Sequence, residues 1–192
     1  VHVRPEGLSP DSIYLIPLRI KSVSAYEINP DKRTVLYRVL LKNDYAFQSP
    51  VTTYQTRGLE EHFDAEKGKD IRKSFSLTRY VLPLTKNSIR CFVGLNSYDA
   101  SKLTKADIRK YAMCITINED ATLTITPMGT AQIEMLDKAG ESNYYTTYEK
   151  NNIKYQAFYL NYRYRLLKDG KDGSNGDADY DIWYTMEETM IR

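Results

Sequence analysis

The stretch YQAFYLNYRYRL, residues 155–166, alternates between two kinds of side chain along most of its length. One face would carry Phe158, Leu160, Tyr162 and Tyr164, and the other Tyr159, Asn161, Arg163 and Arg165. This period of two is typical of an antiparallel strand with one buried face. The stretch IWYTMEETMI, residues 182–191, alternates in the same way. The two stretches therefore predict a long hairpin that encloses residues 168–179.

Similar alternation recurs along the rest of the chain. Turn residues separate further predicted strands at residues 13–20, 34–42, 51–55, 75–84, 89–95, 113–118, 121–126 and 130–136. The charged segment 58–73 reads as an exposed loop or irregular helix. Thr104 as N-cap, with Asp107 three residues later, predicts a short helix at 105–111. The fold class is therefore mostly β, an antiparallel sandwich or barrel with one short helix near 105–111.

Composition narrows the function classes. Lys and Arg number 27 against 25 Asp and Glu, with no basic tract, so nucleic acid is not an expected partner. No apolar run approaches the roughly 20 residues of a transmembrane helix. Cys91 and Cys114 lack metal-ligand spacing and are either buried free thiols or one disulfide. The first residues lack the features of a signal peptide, which fits a mature or truncated product.

Catalytic and metal motifs are missing from the sequence. The chain has two histidines, and His62 lies in a charged segment without a second ligand nearby. Glu187 and Glu188 are adjacent in a predicted strand and so point to opposite faces, which prevents them from acting as a glycosidase pair. The Gly/Asp-rich segment 169–181 does not match the register of a calcium loop. We expect no enzyme activity, no catalytic residue, no cofactor and no metal site.

Tyrosine is over-represented, with 17 residues against five Phe and one Trp. Aromatic rings framed by hydrogen-bonding groups are suited to stack on the C–H faces of sugars, although cross-strand packing explains most tyrosines equally well. The polar stretch 143–152 contains three tyrosines, and Trp183 shares a strand face with Thr185 and Glu187. Alternatively, Trp183 packs on Tyr159 and Arg163. The candidate glycan-binding residues are Tyr144, Tyr145, Tyr148, Trp183, Tyr159 and Arg163.

Two parts of the chain resemble a known pair of domains. Residues 11–22, then Ile28–Lys32 and a strand ending Leu41-Lys42-Asn43, resemble the last part of an Ig-like domain of unknown function. That domain lies near the N-terminus of Bacteroidetes surface lipoproteins, many of them encoded with polysaccharide-utilisation machinery. Phe158–Tyr164, a Gly-rich loop and Glu188–Arg192 are similar to the end of a companion C-terminal domain of unknown function.

The resemblance implies two units, the last part of an Ig-like sandwich at 1–47 and a C-terminal antiparallel β domain at 48–192. It also implies an exported protein at the outer-membrane surface or in the periplasm of a Gram-negative bacterium, with any lipid anchor upstream of Val1. The expected function is a non-catalytic cell-surface module that binds or presents a glycan. Two alternatives are an adhesive module that pairs with other surface proteins through exposed strand edges, and a lipocalin-like carrier of a small ligand.

Overall fold

A computed structural model describes residues 7–96, 104–137, 143–168 and 179–192. These residues form eleven strands and one helix: β1 Tyr14–Arg19, β2 Thr34–Val39, β3 Thr52–Asp64, β4 Lys69–Thr85, β5 Ser88–Phe92, α1 Lys105–Tyr111, β6 Ala112–Ile117, β7 Leu123–Pro127, β8 Gln132–Met135, β9 Tyr144–Lys150, β10 Ile153–Arg165 and β11 Tyr184–Ile191. The predicted fold class is confirmed.

Two antiparallel sheets contain these strands. β1 and β2 form a two-stranded sheet, and the other nine strands form one large sheet in the order β7-β6-β5-β4-β3-β11-β10-β8. The ninth strand, β9, pairs with the first half of β10, whereas β8 pairs with its last four residues. A bridge between Thr122 and Tyr144 joins the β7 end to β9, so the sheet nearly closes into a barrel.

Side chains from most strands of the large sheet fill its inner face. The alternation predicted for residues 155–166 is confirmed, because Phe158, Leu160, Tyr162 and Tyr164 are all buried. Fully buried partners from other strands include Tyr54, Ile89, Met113, Ile115, Met186 and Met190. A packed interior of this kind gives no support to the lipocalin-like alternative.

The segment 58–73 is not the predicted exposed loop or irregular helix. It forms a long hairpin, in which β3 and β4 pair residue by residue from Thr52 with Val81 to Asp64 with Lys69. The alternation was hidden because the inward positions carry Thr56, Gly58 and Glu60 in place of large apolar residues. Pairing of β3 with β11 on its other side overrides the weak strand propensity.

The predicted helix is confirmed, together with its cap. The Thr104 side chain accepts a hydrogen bond from the Asp107 main-chain N–H, and the Asp107 side chain accepts one from the Thr104 N–H. These reciprocal bonds satisfy two donors at the helix start, as a capping box requires. The helix leads directly into β6, so it positions the strand that borders the inner core.

Polar contacts join the segment that precedes β1 to β5 and to Gln48. Both terminal nitrogens of Arg90, which is buried in β5, donate to the carboxylate of Asp11 at 2.5 Å. The Gln48 side-chain amide donates to the Pro10 carbonyl at 2.8 Å. The division of the chain at residues 47 and 48 stays a prediction.

Gly58 marks a close approach between β3 and β11. A Cβ atom at this position would lie 2.1 Å from the Glu187 carbonyl oxygen and 2.8 Å from the Glu188 Cα. We expect Gly58→Ala to lower the free energy of unfolding by about 1–3 kcal/mol, because two backbones would have to separate. Urea unfolding measures the effect. Ser76→Ala, at an exposed position of the neighbouring strand, should change stability by less than about 0.5 kcal/mol, and equal losses in both variants would contradict the close approach.

Candidate functional site

The outer face of β10 and its neighbours gathers most of the predicted site residues. Tyr159, Asn161 and Arg163 of β10 lie opposite Thr189, Glu187 and Thr185 of β11 in the strand register. Tyr144 and Tyr148 of β9 lie opposite Tyr159 and Tyr155 of β10. Of the six predicted residues, the structure brings five to this face, namely Tyr144, Tyr148, Tyr159, Arg163 and Trp183.

Two stacked tyrosine pairs stand across β9 and β10. The rings of Tyr144 and Tyr159 lie 4.4 Å apart between centroids at an angle of 14°, and those of Tyr148 and Tyr155 lie 5.2 Å apart at 14°. The two-residue Asn151-Asn152 turn, with both φ angles positive, fixes this register. In each pair, one ring face is covered by the partner.

A cavity of about 280 Å³ lies beside Tyr159. Its side-chain walls are Tyr144, Tyr159, Asn161, Glu187 and Thr189. Leu160 and Glu188 also line it, and because their side chains are buried on the inner face they contribute main chain to the floor. The cavity thus combines an aromatic ring face with an amide, a carboxylate and a hydroxyl.

A smaller cavity of about 80 Å³ adjoins the first. It is lined by Leu59, Glu61, Asn161, Thr185 and Glu187. Asn161 and Glu187 line both cavities, so the two cavities are adjacent on the outer face of β10, β11 and β3. We refer to these two cavities together as the outer groove.

The main chain of the outer groove is held in place from the side of β9. The Asn143 side chain accepts a hydrogen bond from the Asn161 N–H at 2.7 Å and donates one to the Asn161 carbonyl at 3.0 Å. Asn143 is itself buried. The Asn161 side chain is therefore presented to the groove from a fixed backbone, which favours a preformed site over an induced one.

Trp183 packs against arginines at the end of this face. The guanidinium carbons of Arg163 and Arg165 lie 4.6 and 4.7 Å from the centre of its ring. The predicted packing of Trp183 on Arg163 is confirmed. The second residue packed on Trp183 is Arg165, and not Tyr159 as predicted. Arg163 is also bonded to Glu134 at 2.5 Å. The indole ring is thus engaged by cation–π contacts, which reduces the surface that it offers to a ligand.

Tyr145 lies on the other face of the sheet. Its ring centroid is 4.9 Å from that of Phe158 and 5.1 Å from that of Tyr45. Burial is the main cause of the raised pKa of its hydroxyl. Among the six predicted residues, Tyr145 is the one that contributes to the core instead of the outer groove.

A buried ion pair that the sequence alone did not indicate lies beneath the outer groove. The Arg79 guanidinium donates to Glu188 at 2.6 Å, to the Gly94 carbonyl at 2.8 Å and to the Phe92 carbonyl. The Tyr162 hydroxyl donates to the second Glu188 oxygen at 3.0 Å. Burial raises the pKa of Glu188, although the Arg79 charge acts in the opposite direction.

His62 is not in a solvated loop, so that expectation is wrong. It lies in β3 on the inner face, and its side chain is 16% exposed. Its Nδ1 is 4.0 Å from a carboxylate oxygen of Glu60, and its ring centroid is 5.2 Å from that of Tyr184. Burial raises the pKa of Glu60. None of these side chains lines the outer groove.

Cys91 and Cys114 are free thiols on the neighbouring strands β5 and β6. Burial raises the pKa of Cys91 to about 12, so it is a poor nucleophile at neutral pH. Among the described residues, no group of three or more His, Cys, Asp or Glu side chains is arranged to hold a metal ion. Residues 169–178 of the Gly/Asp-rich segment lie outside that part of the chain. No described helix is long and apolar enough to cross a membrane.

A larger cavity, of about 750 Å³, lies between residues 41–44, which follow β2, and the end of β4 with its turn to β5. Its walls include Leu41, Lys42, Pro83, Leu84 and Gly7. Gly7 adjoins residues 1–6, which are outside the described part. The outer groove, in contrast, is built entirely from described strands, and two of the predicted aromatic residues, Tyr144 and Tyr159, line it.

Comparisons with known proteins find one matching family model and solved structures of Bacteroides proteins with a similar fold. A family model described as "-like, C-terminal" matches residues 33–191. A solved structure of a protein of unknown function from Bacteroides ovatus has a TM-score of 0.62 and 17% identity, and the match covers 98% of this chain and 60% of that one. No curated protein matches.

Two further solved structures have the same fold. A multidomain protein including DUF1735 from Bacteroides ovatus has a TM-score of 0.55 and 17% identity, over 83% of this chain and 53% of that one. An auxiliary nutrient binding protein from Bacteroides thetaiotaomicron has a TM-score of 0.55 and 16% identity, over 98% and 59%. The chain thus spans between 53% and 60% of the length of these three proteins.

Proposed function

We propose that this chain, which belongs to the "-like, C-terminal" family, is a non-catalytic, exported module that holds a glycan in its outer groove. One similar structure is that of an auxiliary nutrient binding protein from Bacteroides thetaiotaomicron, which supports a role outside the cytoplasm in nutrient capture. The proposed location is the cell surface or the periplasm. The glycan is the proposed partner.

The observation that carries the proposal is the cavity beside Tyr159. Sugars present an apolar C–H face and a ring of hydroxyls, so a site needs an aromatic face and several hydrogen-bonding groups within one sugar's reach. Tyr159 supplies the ring, and Asn161, Glu187 and Thr189 supply an amide, a carboxylate and a hydroxyl in the same cavity. Because Tyr159 already stacks on Tyr144, its ring is oriented before a ligand binds, and binding loses little side-chain entropy.

The arrangement of carboxylates supports binding without catalysis. Glycoside hydrolysis needs two carboxyl groups that flank one bond. Glu187 lies in the outer groove, whereas the Glu188 side chain is buried on the opposite face in its ion pair with Arg79. The sheet therefore separates Glu187 from Glu188, and the other carboxylate of the outer groove, Glu61, is ion-paired with Arg72 at 2.7 Å.

We expect Tyr159→Ala to abolish retention of the chain on a polysaccharide. The test is affinity electrophoresis on gels that contain xylan, mannan, β-glucan or polygalacturonate. The variant should bind at least about tenfold more weakly than the wild type, equivalent to about 1.4 kcal/mol, because the stacking surface is lost. Its melting temperature should remain close to that of the wild type.

The matched control is Tyr26→Ala, since Tyr26 is 91% exposed and distant in sequence from the groove. It should be retained like the wild type. Equal retention of Tyr159→Ala and the wild type would remove the groove from the proposal. If none of the four polysaccharides retains the wild-type chain, the glycan-binding proposal itself fails.

A second candidate function is self-association through the β1–β2 sheet. Val35, Leu36 and Tyr37 are 59%, 62% and 54% exposed, and Leu15 is 52% exposed. A two-stranded sheet with apolar residues on both faces is marginally stable alone and favours pairing with a second copy. Elution volumes in size exclusion that depend on protein concentration would support this function, and Leu36→Lys should suppress the dependence. A monomer at all concentrations would refute it.

A further inference from the structure

The length of the outer groove exceeds that of the cavity beside Tyr159. From Thr189 to Thr185, β11 advances four residues, which is about 13 Å at the usual rise of a strand. Thr189 lines the first cavity and Thr185 the second. This span is longer than a single pyranose ring.

The second cavity has the chemistry of a sugar subsite in its own right. Leu59 offers an apolar surface, and Thr185 and Glu61 offer a hydroxyl and a carboxylate. Glu61 also forms an exposed ion pair with Arg72 at 2.7 Å. The two cavities meet at Asn161 and Glu187, so adjacent sugar units would share these two side chains.

Resting on the proposed function, we propose that the outer groove takes a linear oligosaccharide through two contiguous subsites, one at Tyr159 and one at Leu59 and Thr185. The first subsite binds one sugar by stacking, and the second binds the next unit of the same chain. At the other end, the Tyr148–Tyr155 pair continues the aromatic surface beyond Tyr159. The groove therefore suits an internal stretch of a polysaccharide.

The test is calorimetric titration with glucose, mannose, xylose and galacturonic acid, and with their linear oligomers up to the hexasaccharide. In the series that matches the retained polysaccharide, the wild-type chain should bind the trisaccharide at least about tenfold more tightly than the single sugar. Thr185→Leu fills the second cavity and removes its hydroxyl. This variant should bind the trisaccharide only as tightly as the single sugar, with unchanged affinity for the latter.

Two further variants test whether the effect of Thr185→Leu comes from the second cavity. Thr53→Leu makes the same change at an exposed position of the outer face away from both cavities, and it should keep the wild-type length dependence. Leu59→Ala removes the apolar surface of the second subsite. It replaces Thr185→Leu if the melting curve shows that Thr185→Leu does not fold. Leu59→Ala should also reduce the increase in affinity from the single sugar to the trisaccharide.

The outcomes distinguish this inference from the proposed function. Equal affinity for single sugars and trisaccharides, with loss of both in Tyr159→Ala, would overturn the second subsite and leave glycan binding in place. Wild-type length dependence in both Thr185→Leu and Leu59→Ala would also overturn it. Failure of the wild-type chain to bind any polysaccharide or oligomer would overturn the proposed function.

Discussion

Replacing Arg79 by methionine is expected to lower the free energy of unfolding by about 3–5 kcal/mol, because it leaves a buried carboxylate without its partner. Arg79 and Glu188 both have side chains with 0% exposure. The substitution removes three hydrogen bonds from the guanidinium, to Glu188 and to the carbonyls of Phe92 and Gly94. Urea unfolding at neutral pH measures the loss.

The double variant Arg79→Met/Glu188→Met separates the ion pair from the cost of breaking it. Removing both charges leaves no buried ion, so the double variant should be more stable than Arg79→Met alone. The exposed pair Arg72–Glu61 serves as the control. Its disruption by Arg72→Met should cost less than about 1 kcal/mol. If Arg79→Met and Arg72→Met have similar effects, the pair is not buried in solution.

The stability of Arg79→Met should also depend on pH in a defined direction. Burial already raises the pKa of Glu188, and the positive charge that lowers it would be gone. A carboxyl whose pKa is higher in the folded state than in the unfolded state binds protons more tightly when folded. The difference in the free energy of unfolding between the wild type and Arg79→Met should therefore shrink as the pH falls from about 7 toward about 5. This range lies above the pKa of about 4.3 for a carboxyl in the unfolded state. A deficit that grows on acidification would contradict this assignment.

Much of the large sheet could be predicted because strand faces follow a period of two. In the stretch 155–166, four residues at every second position point inward, and the predicted hairpin with residues 184–191 is present. The cap of α1 was equally readable, because Thr104 and Asp107 interact locally. Local chemistry and periodicity both act within a few residues, so a single sequence contains them.

The Arg79–Glu188 pair could not be predicted in this way. Its members are 109 residues apart in the chain, and they meet because β4, β3 and β11 are neighbours in the sheet. Strand order depends on long-range packing, for which the sequence has no local signal. The same limit hid the β3–β4 hairpin, since its inward positions include Glu60, which is 5% exposed.

In the candidate site, too, local alternation predicts which residues share a face, whereas contacts between strands depend on the strand order. Strand alternation correctly grouped Trp183 with Thr185 and Glu187, and Tyr159 with Arg163, on one face. It did not identify Asn161 or Thr189, because their role depends on a cavity formed by two strands together. Tyr144 and Tyr145 were equivalent candidates until the pairing of β9 with β10 separated them.

Phe158→Ala, one residue before the proposed stacking residue, should have the opposite effect to Tyr159→Ala. Phe158 is fully buried, with ring centroids of Tyr145 and Tyr54 at 4.9 and 5.5 Å. We expect a loss of about 3–5 kcal/mol in the free energy of unfolding, from lost burial and the cavity that remains. Tyr159→Ala should lose glycan retention with little change in stability.

Phe63→Ala is the control for Phe158→Ala, because Phe63 is 54% exposed at the far end of β3. It should change stability by no more than about 0.5 kcal/mol in urea unfolding. Similar effects of the two phenylalanine variants would mean that Phe158 does not face the core. Because Tyr159 reaches the outer groove only if Phe158 points inward, that result would also remove the proposed binding face.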